Sequence, residues 1–381
     1  MQGESIESLA AVSPAEWNAV AGHRWPFLQH EFLHSAEATG CVSPASGWQP
    51  RHIILRDRHG KLVAAMPLYE KTHSWGEFVF DWAWAQAYHR VGIEYYPKLV
   101  SAIPFTPAPC PKLLATGDDR ASLKRELISS AMLVGKEREC SSLHLQFVDP
   151  RELPLLQESG LMLRKDCQFH WHNRGYRNFD EFLASFSSAK RRKARQDRRR
   201  VAEQGISFRW LHGDDLDASL MAIVYELISI TFMRRGSQPY FNLDFFLELA
   251  RKLPRTILVV LAERKNEPIA AAVFYVGETT LYGRYWGADA DYNALHFETC
   301  YYQGIAYCIE NNLKVFEPGT QGEHKISRGF QPVSTWSAHW LAHSEFSDAI
   351  AKYLAEEGKH IDRYIEAVDE HSPYRADGKI E

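Results

Sequence analysis

The chain has 381 residues, of which 45% are hydrophobic, 13% aromatic and 24% charged. That is enough apolar material for a sizeable core, so a disordered chain is excluded, and the length suits one large or two medium domains. A formal charge of -4 excludes a chain that is basic throughout, so any site for phosphate or nucleic acid has to be local.

The opening MQGESIESLAAVSPAEW carries acids where a secretion signal needs a positive flank. The longest apolar run, near 256–262, falls far short of the roughly 18 to 20 residues that span a bilayer. The expectation is a cytoplasmic protein with no membrane span. Cysteines at 41, 110, 140, 167, 300 and 308 form no CxxC pair and read as reduced, mostly buried thiols. No zinc-ligand spacing accompanies them, so no metal is expected.

In chain order, 51–69 (RHIILRDRHGKLVAAMPLY) places apolar, β-branched runs on either side of Asp57 to Lys61 and predicts a hairpin. Phe78, Phe80, Trp82 and Trp84 then precede YYPKL and Pro104, Pro107 and Pro109, which exclude a continuing helix. That stretch reads either as a packed core edge or as a substrate wall with Asp81 and Lys98 as its polar fixtures. A helix over 120–139 and a strand over 142–148 close the first half.

The second half is more strongly patterned. Leu220, Ile223, Val224, Leu227, Ile228 and Thr231 recur at helical spacing, as do Phe297, Cys300, Tyr301, Gly304, Ile305, Cys308 and Ile309. Strands at 256–263, 268–277 and 280–288 lie between them, joined by polar turns at 265–267 and 277–279 that suit antiparallel neighbours. A strand at 314–317 follows. A long helix over 345–369 carries an apolar stripe from Phe346 to Val368 that must dock on something. The layout is α+β with mixed, mostly antiparallel sheets flanked by helices. No GxGxxG, GxxxxGK[ST] or GxSxG is present.

Three segments carry candidate chemistry. KRRKARQDRRR, 190–200, holds eight cations and one acid. On a helix it puts Arg191, Arg195, Arg198 and Arg199 on one face, with Gly205 as a stop. Such a run is also the ordinary composition of a solvated face, but its mutual repulsion favours a phosphate-bearing partner. In LYGRYWGADADYNALHFETCYYQ, 281–303, Arg284 interrupts an aromatic strand and His296 and Glu298 open a helix. Glu298 reads equally as a cleft-facing base or as an acid stabilised by a helix N-terminus. VFEPGTQGEHKISRGFQP, 315–332, crowds Glu317, Gln321, Glu323, His324, Lys325 and Arg328 among three glycines after a strand, the composition of an active-site loop.

Those segments, with HSWGEFVFDWAWAQAYHRVGIEYYPKLVSAIPFTP (73–107), FHWHNRGYRNFDEFLASFSSAKRRKARQDRR (169–199) and EPGTQGEHKISRGFQPVSTWSAH (317–339), resemble the FemAB-like N-acyltransferases of the Gcn5-related acyltransferase superfamily. The resemblance runs from about residue 27 to residue 373. It implies two tandem acyltransferase-type domains, 1–165 and 166–381, the second including the basic helix 188–204 and the C-terminal helix 345–369. It also implies transfer of an acyl or aminoacyl group to an amine. One feature departs from the acetyl-CoA users: their pyrophosphate loop is replaced after 281–288 by ADADYNAL.

The reading is direct attack of an amine on a carrier-bound carbonyl, since no nucleophile motif appears. Glu298, Glu323 and His324 are the base candidates, and Arg284 and Lys325 the contacts to the developing oxyanion or a carboxylate. Lys190, Arg191, Arg192, Arg195 and Arg328 would grip the carrier, with Gln321, Glu317, His296, Asp81 and Lys98 as further substrate contacts. Acyl-CoA or aminoacyl-tRNA would be the co-substrate, with no tightly bound cofactor. tRNA would dock through the basic helix, and a small-molecule or peptide amine would be the acceptor. The arginine-rich helix and the loop ending at Arg328 are expected to line one crevice. The rival readings are a non-catalytic tRNA- or nucleotide-binding protein on the same fold and a structural partner of cell-wall enzymes.

Overall fold

The computed structural model describes residues 3–320 and 322–375. The chain forms two compact units that exchange segments: Met1–Cys167 with Ser334–Arg363, and Gln168–Val333 with Tyr364–Glu381. A single cut after residue 165 does not anticipate that exchange, which assigns most of the last helix, Ser344–Asp369, to the first unit.

In the first unit the expected hairpin forms from His52–Arg56 and Leu62–Met66, in a sheet with Glu4–Ile6 and Leu114–Ala115. A second sheet runs from Trp48–Pro50 through Tyr69–Lys71 and Lys98–Ser101 to Ser142–Leu145, all antiparallel neighbours except the last pair. That pair is parallel, so a crossover is required, and the helix Arg120–Glu137 supplies it. Ile53, Leu55, Met66, Leu99, Leu127, Ile128, Leu143 and Leu145 meet between helix and strands as one core. The aromatic stretch forms a helix, Trp82–Arg90, that sequence patterning does not show. Trp84 and Tyr88, four apart, are buried against Ile350 and Leu354 of the last helix. Tyr353 of the expected stripe faces solvent instead.

The second unit orders its strands Ile206–His212, Ile257–Arg264, Glu267–Val276 and Thr280–Ala288, all antiparallel, then Val315–Glu317 in parallel. The predicted turn at 265–267 is a two-residue loop with Lys265 and Asn266 at φ 54° and 64°, whose backbone twist matches that of the strands it joins. The helix Ala218–Met233 packs on the inner strands. Gly287 makes that packing close: a Cβ there would fall inside the contact radius of the Leu227 carbonyl oxygen. Gly304 does the same for the helix Gln303–Glu310 against Phe316. Among the described residues no helix is long and apolar enough to cross a membrane.

Gly287→Ala is expected to destabilise the protein by about 3 kcal/mol, because backbone, not a movable side chain, occupies the new methyl's place. The midpoint of chemical denaturation measures it.

Candidate functional site

The parallel pairing in the second unit covers only Thr280, Leu281 and Tyr282 opposite Val315, Phe316 and Glu317. Thr280–Ala288 then runs on beyond it. In this stretch the register with the neighbouring strand passes from Phe274↔Gly283 to Val273↔Tyr285, leaving Arg284 as the extra residue of a bulge. A bulge of this kind re-aims one side chain. The Arg284 guanidinium meets the Glu317 carboxylate in two hydrogen bonds of 2.9 and 2.6 Å, with both groups buried. Burial alone would raise the Glu317 carboxyl, but Arg284 and the Gly319 amide, 2.9 Å away, hold it below its usual range.

Lys325 is buried beside this pair and donates from Nζ to the Gly319 carbonyl at 2.7 Å. Burial pulls its ammonium down to about 8, with Glu317 opposing the shift. The 3-10 turn Glu323–Arg328 that carries it is closed by Arg328, whose Nη1 donates to the His324 carbonyl at 2.6 Å and to Ser327 Oγ at 2.9 Å. The Arg328 guanidinium also stacks 3.4 Å above the Phe297 ring and pairs with Asp197 at 3.8 Å. His324 Nε2 lies 2.8 Å from the Tyr301 hydroxyl, and burial lowers the imidazole's pKa, with Lys325 and Arg328 adding to the effect. His296 packs among Trp286, Phe297 and Tyr301, and burial pulls it down to about 4. Glu323 lies at the surface and accepts a hydrogen bond from Tyr364 at 2.9 Å. Gln321 lies outside the described residues.

The basic run forms the helix Ser188–Glu203, with Ala194, Asp197 and Val201 as its inward stripe at i, i+3 and i+7. Arg195, Arg198 and Arg199 line a groove of about 380 Å³ together with Asp180, Phe208, Glu298 and Gln303. Arg191, expected on the same face, does not line it. Glu298 begins a π turn, Glu298–Tyr302, inserted in an otherwise α-helical stretch. The five-residue repeat brings Gln303 Nε2 to 2.8 Å from Glu298 Oε1, while Arg198 holds the carboxylate at 3.1 Å and Trp210 donates to Gln303 Oε1 at 2.9 Å. Glu298 therefore sits at a cleft, as one of its two readings requires. Lys190, Arg191, Arg192, Lys193 and Arg200 have no ion-pair partner among the described residues, whereas Arg195, Arg198 and Arg199 each have one.

No described residue of the 317–328 loop lines this groove, and the loop meets the basic helix through Arg328 and Asp197. Asp81 and Lys98 belong to the first unit, where they are buried together. Residues that the sequence did not single out include Asp197, Gln303 and Tyr301. Asp197 had a signal, as the lone acid among eight cations; Gln303 had none, because its spacing to Glu298 acquires meaning only in a π turn. Among the described residues no group of three His, Cys, Asp or Glu side chains could hold a metal ion.

Arg198→Ala leaves Glu298 buried without its cation and is expected to cost about 3 kcal/mol. Adding Glu298→Gln should recover most of that loss, which denaturation of the two single variants and the double variant will show.

The sequence profile of the FemAB-like family, described as peptidoglycan biosynthesis/recognition, matches residues 8–376. A search of curated proteins returned no match. Among solved structures, FemX is similar with a TM-score of 0.56 at 12% identity, over 92% of this chain and 100% of that one. The C-terminal domain (DUF2156) of a putative lysylphosphatidylglycerol synthetase from Agrobacterium fabrum gives 0.55 at 11% identity, over 91% and 97%. L-PGS from Bacillus licheniformis gives 0.51 at 10% identity, over 87% and 97%. These likenesses bear out the α+β class with helices flanking antiparallel-rich sheets. By its profile over nearly the whole chain and by the fold it shares with these structures, the protein belongs to the FemAB-like family and is an acyltransferase.

Proposed function

We propose that the protein transfers an aminoacyl group from aminoacyl-tRNA to an amine by direct attack. The observation that carries this reading is the helix Ser188–Glu203, whose five unpaired cations adjoin three arginines that line a groove with Glu298. Four of the five, Lys190 to Lys193, stand in the first turns, where the helix dipole disfavours positive charge, so an anion bound there relieves two costs together. A nucleic-acid backbone supplies that anion repeatedly. Coenzyme A fits less well. Where acetyl-CoA users place a pyrophosphate loop, this chain exposes Asp289 and Asp291 ahead of the helical segment that starts at Leu295, and two carboxylates repel a pyrophosphate.

Within this reading the residues take distinct roles. Lys325, still mostly charged at neutral pH, donates to the oxyanion that forms as the amine attacks. His324, neutral at the same pH and oriented by Tyr301, accepts the amine's proton. Arg284 and Glu317 fix the loop that carries both, through Gly319. Direct attack is favoured because burial raises the thiols of Cys110, Cys140, Cys300 and Cys308, leaving them poor nucleophiles. Glu323 lies at the surface, tethered to Tyr364, and takes no part in the contacts around Lys325.

Two measurements test the reading. Turnover should rise with pH as His324 loses its proton and fall as pH passes about 8, where Lys325 loses its own. Lys325→Met should abolish turnover yet stabilise the fold at neutral pH by about 3 kcal/mol, since it removes a buried charge. The sign follows from the lowered pKa: wild type gains stability between pH 8 and 10.5, so the variant's advantage should shrink there. Separately, replacing Lys190, Arg191 and Arg192 with Ala should weaken tRNA retention on a filter and reduce its salt slope by about 3. An unchanged slope would remove the helix from carrier binding.

A further inference from the structure

The first unit holds a buried polar network that the transfer chemistry does not use. Lys98 opens the strand that pairs in parallel with Ser142–Leu145. Its ammonium donates to Ser74 Oγ at 2.8 Å, to Glu77 Oε2 at 2.9 Å and to Asp81 Oδ2. Gln146 Nε2 donates to the same Glu77 oxygen at 2.6 Å, and the Tyr95 hydroxyl to the same Asp81 oxygen at 2.6 Å. Lys98, Glu77, Asp81 and Gln146 are exposed by 0%, 2%, 3% and 1%.

The remaining oxygen of each acceptor is unserved. Glu77 Oε1, Asp81 Oδ1 and Gln146 Oε1 have no hydrogen-bond partner among the described residues, and neither do the hydroxyls of Ser101 and Thr106. Lys98 cannot serve them, because its three N–H bonds are already committed. The other buried lysine, Lys71, donates to the Trp75 carbonyl at 3.2 Å and lies 3.8 Å from the centre of the Trp48 ring. Each orphaned acceptor is costly to bury, and Lys98 touches both carboxylates, with the Lys71 charge acting on Glu77 from further off. The group that would complete this network is a cation that only donates.

The segment that brings the two acids also brings aromatic surface. Between strand Tyr69–Lys71 and helix Trp82–Arg90 the chain is irregular, and it exposes Trp75 by 67% and Phe80 by 60% while burying Glu77 and Asp81. The Trp75 and Trp82 rings are 5.5 Å apart, edge to face. Aromatic faces and carboxylates are groups that recognise ammonium ions, and this one segment carries both.

We propose that this network is a binding site for an ammonium-bearing ligand whose nitrogen is taken by Glu77, Asp81 and Gln146 and whose apolar portion lies on Trp75, Phe80 and Trp82. A nitrogen held between carboxylates keeps its proton and has no lone pair, so the site anchors a ligand and does not present the attacking amine. It stands independently of the aminoacyl-transfer reading.

The test is calorimetric titration of the full chain, without any acyl donor, with n-butylammonium chloride and with n-butanol at constant ionic strength. The ammonium salt should bind saturably and at least ~10-fold more tightly than the alcohol. Glu77→Gln and Asp81→Asn should each lower that affinity at least ~10-fold, while the exposed Asp118→Asn leaves it unchanged, with circular dichroism checking each fold. Equal affinity for salt and alcohol would overturn the proposal, as would undiminished binding in folded Glu77→Gln and Asp81→Asn. No saturation at millimolar ligand would also overturn it, leaving the oxygens to buried water. Should the two variants not fold, the wild-type comparison of salt with alcohol decides alone.

Discussion

Eight cations and one acid within eleven residues, 190–200, are held to the second unit by two buried ion pairs of opposite sense. Asp197 on the helix's inward stripe meets Arg328, and Glu298 in the π turn meets Arg198. These pairs fix which face of the helix is inward and couple it to both loop and turn. Buried ion pairs of this kind contribute little net stability, but losing one partner is costly, so they act mainly by enforcing one arrangement. Five of the helix's cations have no acid opposite them among the described residues, and that surplus is what a polyanionic carrier would find.

Next to that arrangement, the parallel pairing ends at Tyr282 and Glu317, and the bulge at Arg284 brings its guanidinium onto the Glu317 carboxylate. The groups gathered there divide by role. Arg284 and Glu317 neutralise one another and hold the backbone at Gly319, while Lys325 is the buried cation with no carboxylate on it.

Much of this was legible in the sequence. Period-two and period-3.6 patterns gave the three central strands and two of the helices of the second unit, because each buries one face or both. The density of acid, imidazole, ammonium and guanidinium at 317–328 marked that loop as a candidate. What patterning missed has physical causes. The helix Trp82–Arg90 is seeded by only two buried aromatics, so its periodicity is too short to see. The strand Gln331–Leu341 and the exchange of segments between units depend on contacts distant in sequence. The contacts of Glu298 with Gln303 and Arg198 depend on the π turn, which has no sequence signature. The Lys98 network was visible only as two candidate residues, since a missing donor is a property of coordinates.

The account is tested most directly by its donor. Incubating the pure protein with a pool of charged tRNAs and a pool of acyl-CoA thioesters, each with mixed amine acceptors, and reading the discharge by mass spectrometry separates the possibilities. Loss of an aminoacyl group from tRNA with appearance of a new amide is the predicted result. Consumption of a thioester alone, or retention of tRNA with no donor discharged, would contradict it.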